Sequence, residues 1–244
     1  MKKPVKKLKE NEVEERKIEE KEEKQEPYEN PVINKELRWV LMTLAGLVIL
    51  FLLANSFFQS LNKIEYQGLT FAKEKFGEIP LFHYSYYFNA PRSLTGGAIN
   101  TGQLIQYNLY LRLDPRENNV PVEGGQIILS TDIPTYLTID TVGLESCEKS
   151  TIAVAGLSAF LAENFIQIKG ATTDESFVEE GIPLVTCDTN PNDTVILLTT
   201  GSETKILKKS NLCYNIIVSN CETLQATEKF IVQSIIDSRE RRGL

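Results

Sequence analysis

Few side chains in this sequence could do chemistry, and they are scattered. There is one histidine, His83, so any Ser-His or Cys-His mechanism must pass through it. It stands in Leu81-Phe82-His83-Tyr84-Ser85, an aromatic run that suits a strand, where a histidine reads as packed or surface-facing rather than catalytic. Ser146-Cys147-Glu148-Lys149 matches S-x-x-K, the spacing at which a lysine can take a serine's proton. Ser146 and Lys149 are therefore the candidate catalytic pair, although two fixed positions in four recur by accident in a chain this long. Gly156-Leu157-Ser158-Ala159-Phe160 lacks the closing glycine of a nucleophile elbow. No H-E-x-x-H and no C-x-x-C occur, so the expectation is no metal and no cofactor. Asp188-x-Asn190-x-Asn192 imitates the start of a calcium loop, but Asp193 and Thr199 stand where that loop needs Gly and Glu; Asn190-Pro191-Asn192-Asp193 is more simply a turn. Gly96-Gly97 and Gly124-Gly125 lack the rest of a phosphate loop, and Asp114-Pro115-Arg116 reads as a turn.

The cysteines carry more information. Cys147, Cys187, Cys213 and Cys221 all lie in the C-terminal half. An even number confined to one side of a hydrophobic segment suits disulfides in an oxidising compartment, the alternative being buried free thiols. If Tyr214–Val218 is extended, at about 3.3 Å per residue, Cys213 and Cys221 are too far apart to bond to each other. Two arrangements remain open: 147–213 with 187–221, or 147–221 with 187–213. Asn192-Asp193-Thr194 makes Asn192 a glycosylation candidate on the same side.

What must position these residues divides into three parts. Residues 1–36 form a charged, partly helical or disordered tail, rich in Lys and Glu and stopped by Pro27 and Pro31. Residues 37–60 form a transmembrane helix. Its core, Trp39 to Phe58, carries no charge and rises about 30 Å, enough to cross the hydrocarbon core. Its Val, Leu, Ile and Phe favour insertion by about 5 kcal/mol. Ala54-Asn55-Ser56 resembles a small-residue cleavage site, but the apolar run is too long and too far from the first residue for a cleaved signal, so it reads as an uncleaved anchor. The cysteines place the tail in the cytoplasm and the large domain outside; the reversed topology, a cytosolic assembly or signalling domain, is the alternative.

Residues 61–244 form an α+β domain, β-rich and sandwich-like over 64–145 and mixed α/β over 146–238. Ile64–Phe71, Pro80–Phe88, Gln126–Leu129 and Tyr136–Val142 are expected strands. The clearest is Leu104–Leu113, with Ile105, Tyr107, Leu109, Leu111 and Leu113 on one face. Helices are expected at Thr151–Glu163 with Ser150 as cap, at Asp174–Glu180 with Thr173 as cap, and from a capping box at Ser219 and Glu222 to about Ser238. Phe165–Ala171, Leu184–Thr189, Thr194–Thr200, Glu203–Lys208 and Leu212–Val218 complete the strands, with Gly201-Ser202 as a hairpin loop.

Glu65-Tyr66-Gln67-Gly68-Leu69 just past the anchor, Phe76-Gly77-Glu78-Ile79-Pro80, and the segment from Cys213-Tyr214 to Asn220-Cys221-Glu222 resemble single-pass membrane-anchored surface proteins of archaeal type. The resemblance implies an envelope location and no activity. With a net charge of −7 and no clustered basic face, nucleic acid is not an expected partner. The expected partners are the lipid bilayer and other envelope proteins. The function expected is binding or scaffolding by an anchored, non-enzymatic domain, the rival being an anchored hydrolase that uses carboxylates or the Ser-Lys pair.

Overall fold

The structure, a computed structural model, describes residues 35–89, 104–144 and 147–243. The charged tail, Gly96-Gly97 and Ser146 lie outside the described residues. The chain divides into two compact units, 1–54 and 55–244.

Helix α1 spans Lys35–Leu61. From Trp39 to Phe58 it carries no charge, and its large apolar side chains are exposed, from Leu41 at 50% to Phe51 at 69%. Its segment Lys35–Phe58 has a mean hydropathy of 2.3 and is long and apolar enough to cross a membrane.

The second unit is α+β. A four-stranded antiparallel meander comes first, in the order β1 (Lys63–Tyr66), β2 (Leu69–Phe76), β3 (Ile79–Asn89) and β4 (Leu104–Leu111). The expected single strand Ile64–Phe71 is thus a hairpin. Gln67 and Gly68 take φ of 46° and 77°, a pair of left-handed residues that matches the twist of the strands it joins. The next turn is Gly77-Glu78.

A six-stranded mixed sheet follows, in the order β5-β9-β10-β8-β6-β7. Its strands are β5 (Val122–Glu123), β6 (Thr135–Ile139), β7 (Ile168–Thr172), β8 (Thr194–Thr200), β9 (Lys205–Ser210) and β10 (Cys213–Val218). After β6 comes the short α2 (Thr141–Leu144), and α3 (Ser150–Glu163) then crosses back to the parallel β7. Because β5 and β6 join this second sheet, the mixed region begins well before residue 146. α4 (Thr223–Arg241) closes the chain.

Several local expectations are corrected. Gly201-Ser202 is not a hairpin loop, because β8 pairs in parallel with β10 and β9 pairs antiparallel with β10. Gln126–Leu129 joins no ladder; side chains take its backbone groups instead. Ile127 N–H donates to Asp237 at 2.6 Å and Ile128 N–H to the Tyr214 hydroxyl at 2.8 Å. Leu184–Thr189 makes a single bridge, Thr172 to Leu184. The helix expected over 174–180 is one 3-10 turn, Glu175–Phe177, capped by Asp174 rather than Thr173. Strand Phe165–Ala171 begins only at Ile168, since Phe165 takes φ of 60°. Ser150 is the first residue of α3, after Lys149. The capping box does not form: α4 begins at Thr223 without a side-chain cap, behind Asn220 and Cys221 at φ of 50° and 59°.

Helices α3 and α4 pack on each other and share one core with both sheets. Tyr107 of β4 meets Phe160 of α3 edge to face, and Tyr214 of β10 meets Phe230 of α4 in the same way. The other face of the mixed sheet carries a small cluster of Ala171, Val185 and Val195. Of the two open cysteine arrangements the structure has 147–221 with 187–213, at Cα separations of 5.2 and 5.6 Å. The first disulfide joins the heads of α3 and α4. The second joins the segment before β8 to β10.

Candidate functional site

Strand β4 is an edge among the described residues: there it pairs with β3 and with no other strand. An open edge presents unpaired N–H and C=O groups, and proteins usually guard such edges with charge, proline, bulges or shortness. The opposite edge, β1, is guarded in this way, with four residues that include Lys63 and Glu65. β4 is not. Its eight residues, Leu-Ile-Gln-Tyr-Asn-Leu-Tyr-Leu, hold no charge and no proline, and its register with β3 is unbroken. Strict alternation explains how it stays in place. Tyr107, Leu109 and Leu111 are buried against the helices, while Gln106, Asn108 and Tyr110 face outward.

A groove of about 710 Å³ runs along this edge. Consecutive residues from Tyr107 to Arg112 line it. Side chains on a strand alternate between faces, so the groove meets both faces of β4 around its edge, and it continues across the sheet to Leu81 of β3 and to Glu74, Lys75 and Phe76 of β2. Its far wall is one face of α3: Ile152, Ala155, Gly156, Ala159 and Glu163, which follow one another as i, i+3, i+4, i+7 and i+11. Its middle is low because Ala155, Gly156 and Ala159 are small. A Cβ added at Gly156 would meet nothing within 4 Å.

The α4 side of the groove supplies Leu224, Thr227, Glu228 and Ile231. Glu228 is only 7% exposed and fixes the end of β4. Its two carboxylate oxygens accept from the backbone N–H of Arg112 at 2.8 Å and of Leu113 at 3.1 Å. Burial pushes its carboxyl up to about 7, against the opposing pull of those two N–H groups and the Arg112 charge. Burial also raises the phenol of Tyr107, which lines the same groove.

The sequence candidates fall elsewhere. Lys149 is exposed before the first turn of α3, and its partner Ser146 is outside the described residues. His83 lies on the outer face of the first sheet. Its Nδ1 is 2.8 Å from Glu74 and its Nε2 is 3.1 Å from Asn108 Oδ1, while its ring stacks on Tyr110 at 4.6 Å. It thus forms a cross-strand link over β2, β3 and β4 and contacts no nucleophile among the described residues. Asp114 and Arg116 form a local ion pair at 2.6 Å, whose hydrogen bonds hold the Asp114 carboxyl below its usual range. Asn192 is exposed in the turn before β8. Among the described residues no three His, Cys, Asp or Glu side chains gather to hold a metal ion.

Glu228 and the α3 face were not foreseen. Glu228 had a signal: it falls four residues after Leu224, on the inner stripe of α4, where a charge needs a buried partner. No family model, curated protein or solved structure matches the chain.

Proposed function

We propose that this protein is a membrane-anchored extracytoplasmic binding domain that takes up an extended segment of another envelope protein along β4. The observation that carries the reading is the unguarded edge of β4 facing a groove whose far wall is kept low by Ala155, Gly156 and Ala159. Adding a strand to such an edge gains main-chain hydrogen bonds without regard to sequence, and the groove then selects alternate side chains. An eight-residue strand offers about 26 Å of edge. The anchor reading is supported by the length and apolarity of α1, and the outside location by the two cysteine pairs.

The test is selection of ten-residue peptides from a random library on the full-length chain held in lipid nanodiscs. The reading expects enrichment of peptides with alternating apolar residues. It also expects Gly156→Trp, which fills the groove where the backbone has room, to weaken their binding at least tenfold. Peptides that bind the Gly156→Trp chain equally well, or no enrichment at all, would refute it.

A further inference from the structure

We infer that a second, smaller cavity in the folded domain binds an anionic amphiphile, a molecule with a negatively charged head and a short apolar body. The cavity holds about 260 Å³ and is formed by β3, the ends of α3 and α4, and the segment around Leu129. At about 30 Å³ per water-sized group, it has room for about nine. Its walls are apolar: Phe88, Phe160, Ile166 and Ile235, with the ring of Tyr86 and the side chain of Leu129.

The polar groups that line it explain the sign of the ligand. The inner ones are already satisfied. The Tyr86 hydroxyl donates to Asn164 Oδ1 at 2.5 Å, Asn164 Nδ2 donates to Phe160 O at 2.8 Å, and Ser234 donates to Ile231 O at 2.8 Å. The spare groups of Arg241, Arg242 and Ser238 are donors, beside the Thr131 hydroxyl, which can donate or accept. Arg241 uses Nη1 on Ile127 O at 2.9 Å, which leaves Nε and Nη2. Arg242 uses Nε on Ser238 O and Nη2 on Ser238 Oγ, which leaves Nη1. The Ser238 hydroxyl accepts from Arg242, so its own hydrogen is free to donate. No acidic side chain lines the cavity, and among the described residues no carboxylate lies within ion-pair distance of either arginine. Asp237 holds the N–H of the same Ile127 whose carbonyl Arg241 holds, and in a chain of net charge −7 two arginines with no carboxylate at ion-pair distance among the described residues, at the mouth of an apolar cavity, suit an anion. The site shares no lining residue with the β4 groove, so it stands or falls independently of the proposed function.

Octanoate is the probe, because its ten heavy atoms match the volume. Its binding to the full-length chain in lipid nanodiscs is read from the methyl NMR shifts of Ile166 and Ile235, which line the cavity. The inference expects saturable shifts with octanoate and at least tenfold weaker binding of octanol and octylamine. It expects the same loss in the double variant Arg241→Gln, Arg242→Gln, whose exposed positions leave the core intact. Equal binding of octanoate and octanol, undiminished binding to the double variant, or shifts that never saturate would each overturn it. As a second variant, Ser238→Ala keeps both arginines and should weaken octanoate alone, because it removes a donor at the head and leaves the apolar walls.

Discussion

Replacing Glu228 by glutamine should flatten the pH dependence of stability. In the folded domain its carboxyl titrates near 7, against an ordinary 4.5. Between those values the folded chain keeps a proton that the unfolded chain has released. Stability from this group is therefore greatest at low pH and declines as pH rises toward 7. At about 1.4 kcal/mol per pH unit, the loss comes to about 3 kcal/mol. Glutamine has no charge to desolvate, so it escapes this loss. It keeps one acceptor oxygen for the N–H of Arg112 or Leu113 but leaves the other unmatched, at about 1 kcal/mol. The native chain should thus be more stable than Glu228→Gln at about pH 4.5, and its advantage should vanish or reverse at about pH 7.5. Urea unfolding of both chains at both pH values, followed by circular dichroism, measures this; taking the difference cancels the other carboxylates. A difference between the two chains that is the same at both pH values would refute the reasoning.

Other outcomes follow from the packing. Replacing both members of a disulfide by alanine should destabilise the domain more for Cys147–Cys221 than for Cys187–Cys213. The sequence separations are 74 and 26, for which loop-closure entropy gives about 4.5 and about 3.5 kcal/mol; urea midpoints in oxidising buffer would show the order. Tyr214→Phe should cost about 1–3 kcal/mol, because the Tyr214 hydroxyl both accepts from Ile128 N–H and donates to Ile128 O, and the ring is fully buried. A thermal melt unchanged by that substitution would contradict the side-chain clasp on this segment.

Much of the architecture could be read from local pattern. The long apolar helix needs only composition, and β4 needs only its period of two, from Ile105 to Leu111. The α+β class follows from the order of such patterns. What failed depends on distant partners. Gly201-Ser202 looks like a hairpin because β8 and β9 are neighbours in sequence, yet β10 comes between them in the sheet. Gln126–Leu129 has the composition of a strand, but Asp237 and Tyr214, about a hundred residues later, take its backbone bonds. Ser219 and Glu222 have the spacing of a capping box, but Asn220 and Cys221 adopt left-handed backbone where Cys221 meets Cys147. The groove was hidden for the same reason: nothing local to Leu104–Leu111 tells whether a strand lies on one side of it or on both.

The most direct test of the account is hydrogen exchange along Leu104–Leu111 in the full-length chain in nanodiscs. The account predicts that amides directed at β3 exchange slowly, that the alternate amides exchange fast, and that a library-selected peptide slows those alternate amides specifically. Uniform protection of the whole strand in the free chain, or an alternation that the bound peptide leaves unchanged, would contradict it.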